Sequence, residues 1–79
     1  MKVRLFAALR EVAGASVLDL EAPDVGALLE LLSRTYGDSF DRIMSAGTVV
    51  VDGETVGPER ELKAGDEVAL LPPVSGGGA

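Results

Sequence analysis

The chain has 79 residues, 47% of them hydrophobic, with no cysteine, no histidine and a net charge of −6 at pH 7. It therefore lacks a disulfide, a thiolate nucleophile, a Ser-His pair and the usual zinc or haem ligands, and its acidity is opposite to the basic footprint that nucleic-acid binding needs. The length predicts one small domain that buries only ~60–65% of its unfolded surface, and with Phe6, Tyr36 and Phe40 its only aromatics, Val, Leu and Ala must form the core.

The order of elements starts with Lys2 to Ala7, which alternates. Val3, Leu5 and Ala7 fall on one face; Lys2, Arg4 and Phe6 fall on the other. This is the pattern of a strand with one buried face. Phe6 is a large aromatic on the polar face, so it is either covered by a later element or part of a docking patch. The apolar run Leu5–Leu9 lies between Arg4 and Arg10, too short for a signal core of ~7–15 residues. Nowhere does the chain approach the ~20 apolar residues of a membrane span. A cytoplasmic protein, with no membrane partner, is expected.

Ala8 to Ala13 reads as a helical turn stopped by Gly14. Val17 to Glu21 reads as a second strand, joined to the first by a wide hairpin and ended by Ala22-Pro23. Asp24 is a good N-cap. After it, Val25, Leu28, Leu29, Leu32 and Tyr36 share one helical face, and Gly37 supplies the stop. This is the main helix, and its stripe should pack on a sheet. Phe40, Ile43 and Met44 suggest a short second helix. Thr48 to Val51 is strand-like, Asp52-Gly53 is a hairpin turn, and Glu54 to Val56 is the returning strand. Gly57-Pro58 breaks it. Leu62, alone among charged residues, should plug a gap in the core. Lys63 to Asp66 reads as a turn. Glu67 to Leu71 is nearly continuously apolar, as a central strand would be. Two strands, a helix and further strands form an α+β, ubiquitin-like β-grasp with a mixed sheet, the first and last strands adjacent at its centre.

After Leu71 the character changes to Pro72-Pro73-Val74-Ser75-Gly76-Gly77-Gly78-Ala79. The prolines lack donors and fix φ, so a central strand cannot continue through them. The glycines have nothing to bury. The expected division is a β-grasp domain over 1–73 and a flexible tail over 74–79. A tail of this kind is either a frayed terminus or an arm thin enough to thread a narrow tunnel. The strand directly before it favours the arm.

Three stretches resemble the MoaD family, the small sulfur-carrier subunits of molybdopterin synthase. They are Val3-Arg4-Leu5-Phe6-Ala7-Ala8-Leu9-Arg10-Glu11, the helix from Asp24 to Tyr36, and Gly65-Asp66-Glu67-Val68-Ala69-Leu70-Leu71-Pro72-Pro73-Val74-Ser75-Gly76-Gly77. The last is the specific one. The resemblance implies a non-catalytic carrier that binds no cofactor itself. An E1-like, MoeB-like adenylyltransferase would spend ATP on the glycine carboxylate, and a sulfur donor would convert the adenylate to a thiocarboxylate. The tail would then enter a MoaE-like large subunit, where sulfur passes to precursor Z in molybdenum cofactor biosynthesis. Gly76 and Gly77 would be the working end. Phe6, Ala69, Leu71, Pro72, Pro73 and Val74 would dock on the partner.

The matched motif stops at Gly77, ahead of Gly78 and Ala79. Either a peptidase trims the chain, or another terminus is used, or the chain does not carry sulfur as written. Three other readings stay open. One is a sister carrier for thiamine, cysteine or another thio-metabolite. The others are a ubiquitin-like protein modifier and a plain β-grasp interaction domain.

Overall fold

The structure, a computed structural model, describes residues 1–73; 74–79, and with them the expected tail, lie outside the described residues. The elements are β1 (Lys2–Leu5), α1 (Ala8–Ala13), β2 (Val17–Asp19), α2 (Val25–Tyr36), α3 (Asp38–Met44), β3 (Thr48–Val51), β4 (Glu54–Val56) and β5 (Glu67–Leu71). The five strands form one mixed sheet in the order β2-β1-β5-β3-β4. β1 and β5 run parallel, while β1–β2, β3–β4 and β3–β5 are antiparallel. This is the β-grasp topology, with the first and last strands side by side as their apolar character requires.

The alternation in β1 and β5 decides which face is covered. Val3, Val68 and Leu70 are fully buried, and they join Leu28 and Leu32 of α2 in one core with Leu5, Leu9, Phe40, Val49 and Val51. Lys2, Arg4 and Glu67 stay exposed on the opposite face. Leu62 is buried in the same core, as its isolation among charged residues suggests.

Both ends of α2 are closed locally. The Asp24 carboxylate accepts a hydrogen bond from the Ala27 N–H at 2.7 Å, satisfying one of the helix's orphan donors. At the other end Gly37 sits at φ 76° and donates to the Ser33 carbonyl at 2.7 Å. A further set of bonds is not visible in local sequence. The N–H groups of Val25 and Gly26 donate to the Arg60 and Pro58 carbonyls, each at 2.9 Å, and Leu62 N–H donates to the Pro23 carbonyl at 3.0 Å. The segment after β4 thus seals the start of α2 and carries Leu62 into the core. The β3–β4 turn has Asp52 at φ 50° and Gly53 at φ 86°, the two left-handed residues of a type I′ hairpin.

Two expectations need correction. β1 stops at Leu5, not Ala7, and Ala7 is exposed rather than on the buried face. The chain turns there because Leu9, at the start of α1, must reach the core. β2 also stops early, at Asp19 rather than Glu21.

Candidate functional site at the end of the central strand

β5 brings the chain to Pro72 and Pro73 from the middle of the sheet. Its outer residues, Ala69 and Leu71, are half-buried. Ala69 stands opposite Arg4 on one side and Val50 on the other; Leu71 stands opposite Thr48. Because β1 is parallel to β5 and Leu5 pairs with Leu70, Phe6 and Leu71 follow those partners abreast, at the same end of the sheet. Phe6 is 41% exposed, the most exposed of the large hydrophobic residues among those described. No later element among the described residues covers it.

Arg4 shares this outer face, but its guanidinium leans along it to Glu67, with Nε and Nη2 3.2 and 3.1 Å from Oε2. Both side chains are about half exposed, so the pair contributes at most ~1 kcal/mol. Its consequence is directional. The charge is drawn toward the start of β5, away from the end where Phe6, Leu71 and the prolines gather.

Phe6 is held in place by a tight turn. The Leu9 N–H donates to the Phe6 carbonyl at 3.1 Å, and between them Ala7 has φ 49° and ψ −123°. That is the first central position of a type II′ turn, where glycine is the usual residue. An L-residue costs ~1–2 kcal/mol in the left-handed region, while glycine gives back ~0.4–1 kcal/mol through the unfolded chain. Ala7→Gly is therefore expected to raise stability by about 0.5 kcal/mol, measured as a higher urea midpoint. A fall in midpoint would show that the Ala7 methyl makes a contact worth more than the strain.

Of the expected docking residues, Phe6, Leu71, Pro72 and Pro73 thus share one end of the sheet, and Ala69 lies two residues back from Leu71 on the same face. Val74, Gly76 and Gly77 lie outside the described residues. Sequence reading missed Val50, which extends the outer strip beside Ala69. The run Thr48-Val49-Val50-Val51 is β-branched throughout, so it carries no signal of which face is which. Gly47, just before β3, was missed as well. Among the described residues no cluster of three His, Cys, Asp or Glu is placed to hold a metal, and no helix is long and apolar enough to cross a membrane. What this end offers chemically is a partly exposed apolar strip directly before the glycine-rich sequence.

Residues 3–77 match the model of the ThiS family. The chain is 37% identical over 81 residues to the molybdopterin synthase sulfur carrier subunit of Chlamydomonas reinhardtii, with 98% of each chain covered. It is also 37% identical over 91 residues to small archaeal modifier protein 1 of Haloferax volcanii, with 98% of this chain and 100% of the relative covered. The solution structure of small archaeal modifier protein 1 from Methanosarcina acetivorans superposes with a TM-score of 0.83 at 33% identity, covering 95% of this chain and 93% of that one.

Proposed function

The chain belongs to the ThiS family of small sulfur carriers, and we propose that this member supplies the sulfur of molybdopterin from a thiocarboxylate on Gly77. The observation that supports the reading most is the extent of the family match. It runs to residue 77 and so takes in the whole Pro-Pro-Val-Ser-Gly-Gly run.

The chemistry follows from what the chain has and lacks. A carboxylate is a poor electrophile. In an E1-like enzyme one of its oxygens would attack the α-phosphorus of ATP, the bond to pyrophosphate would break, and an acyl-adenylate would form. Hydrosulfide, or a persulfide on a donor, would attack the acyl carbon. AMP would leave with the electron pair of the C–O bond; the hydrosulfide route yields the thiocarboxylate on loss of a proton, and the persulfide route requires a thiol to reduce the S–S bond. The carrier needs no thiol, because the sulfur rides on the carboxyl carbon. Docking of the Phe6–Leu71 end on a MoaE-like large subunit would then place the arm in that subunit's site.

The test is intact mass after incubation with an E1-like enzyme, ATP and sulfide, on the full chain and on a chain ending at Gly77. The mass change for one oxygen replaced by sulfur is expected on the Gly77 form. Gly78 and Ala79 should be dispensable, or inhibitory until a peptidase removes them. Activation of the Ala79 form alone would remove Gly77 from the role. Activation of neither would leave a plain interaction domain.

A second reading, conjugation to lysines of other proteins, is favoured by the equally similar small archaeal modifier protein. It predicts isopeptide adducts in cell extract where the carrier reading predicts none.

The docking strip has its own test. Buried aromatic anchors dominate interfaces, with truncation costs of ~2 kcal/mol or more, which is about thirtyfold in Kd. Phe6→Ala should weaken binding to the large subunit by that order and leave the thermal midpoint nearly unchanged, since Phe6 is exposed here. Lost stability with unchanged affinity would make Phe6 a residue of the fold only.

A further inference from the structure

Gly47 immediately precedes β3, whose first residue, Thr48, pairs with Leu71, the last residue of β5. A Cβ on Gly47 would lie 2.7 Å from the Leu71 carbonyl oxygen, 3.0 Å from the Met44 sulfur and 3.4 Å from the Ile43 carbonyl. Its φ is not in the left-handed range, so the backbone conformation is open to other residues. Glycine is needed for space, and the tightest approach is to the peptide that leads into Pro72. We propose that Gly47 is a positioning residue: it seats the Leu71–Pro72 peptide and so sets the direction in which the C-terminal arm leaves the sheet toward the activating enzyme. This rests on the carrier reading above.

The two sides of the contact are unequally held. The Gly47 N–H is bonded to the Met44 carbonyl at 3.1 Å, and α3 blocks retreat through Met44 and Ile43. On the other side, Leu71 ends its strand and the next two residues are prolines without donors. An added methyl therefore displaces the Leu71 carbonyl, by about 0.7 Å if it is to reach ordinary contact. The prolines fix φ at 72 and 73, so the tilt persists through these two residues. Misplacement on the scale of ~1 Å can cost about a hundredfold in rate when a reacting group must be aligned.

The experiment measures adenylation of the chain ending at Gly77 by an E1-like enzyme, as kcat and KM for the carrier, with backbone NMR on the free protein. Gly47→Ala is expected to lower kcat by about ten- to a hundredfold with KM within about threefold. The Leu71 carbonyl carbon and Pro72 should shift while Val3 and Val68 do not. Gly65→Ala, where a Cβ meets nothing within 4 Å, should match wild type. In a Pro72→Ala background, whose freed φ decouples the arm from the strand, the loss caused by Gly47→Ala should shrink to about threefold or less; contacts acting through one element are not additive. An undiminished loss in that background, unchanged kcat, or a Gly47→Ala chain that does not fold would each overturn the proposal. If wild type itself is not adenylated, the carrier reading fails, and the NMR shifts alone decide whether Gly47 seats the Leu71 peptide.

Discussion

Leu28→Ala is expected to remove ~2–5 kcal/mol of folding stability, a large share of the ~4–12 kcal/mol that a domain of this size possesses. Leu28 is fully buried near the start of α2, and its face is the only long apolar stripe among the described residues that can cover β1 and β5. The remaining cavity cannot collapse easily, because Val3, Val68 and Leu70 around the core lie in a hydrogen-bonded sheet. Urea unfolding should show a lower midpoint at an unchanged slope. Leu31→Ala is the internal comparison. Leu31 lies three residues further along the same helix but is 38% exposed, so its loss should stay within ~0.5 kcal/mol. Equal midpoints for the two variants would mean that α2 does not pack on the sheet through the Val25–Leu28–Leu32 stripe.

The contrast between Leu28 and Leu31 also shows what a sequence carries legibly. Helical spacing separated the two, since one falls on the stripe and the other does not. Alternation did the same for Val68 against Glu67, and Asp52-Gly53 announced its hairpin through the two left-handed residues that turn requires. These signals are local, and each is imposed by a single element's geometry. What sequence could not show depends on chain segments far apart. Ala7 continues the alternation of β1, but the need to bring Leu9 into the core turns the chain early, into a conformation that alanine resists. Pro58 and Arg60 look like loop residues, yet their carbonyls satisfy the first N–H groups of α2. Gly47 looks like one more loop glycine until the β3–β5 register sets it against the Leu71 carbonyl. Of the outer apolar strip, Phe6 was visible as an aromatic on the polar face. Val50 was hidden in a uniformly β-branched run.

Gly77→Ala, made in a chain ending at that residue, is expected to lower adenylation by an E1-like enzyme about a hundredfold or more. The thermal midpoint should stay where it is. The reason for the second half lies in the core. Every core residue among those described lies between Met1 and Leu70, and the substitution alters none of them. The reason for the first half is steric and chemical together. The terminal carboxylate must reach the α-phosphorus of ATP in line with the departing pyrophosphate, which requires near-attack distances of ~3–3.5 Å. The activating enzyme has to admit the arm through a channel closed enough to keep water from the acyl-adenylate. A Cβ at the last residue widens the arm at its narrowest constraint and biases φ and ψ away from values that glycine alone adopts freely. The loss should fall mainly on kcat, because the proposed docking strip around Phe6 and Leu71 is unchanged. A rise in KM at constant kcat would mean that Gly77 serves recognition and not alignment. Wild-type turnover in Gly77→Ala would show that the channel tolerates a side chain, and the diglycine would then have no steric role in the chemistry.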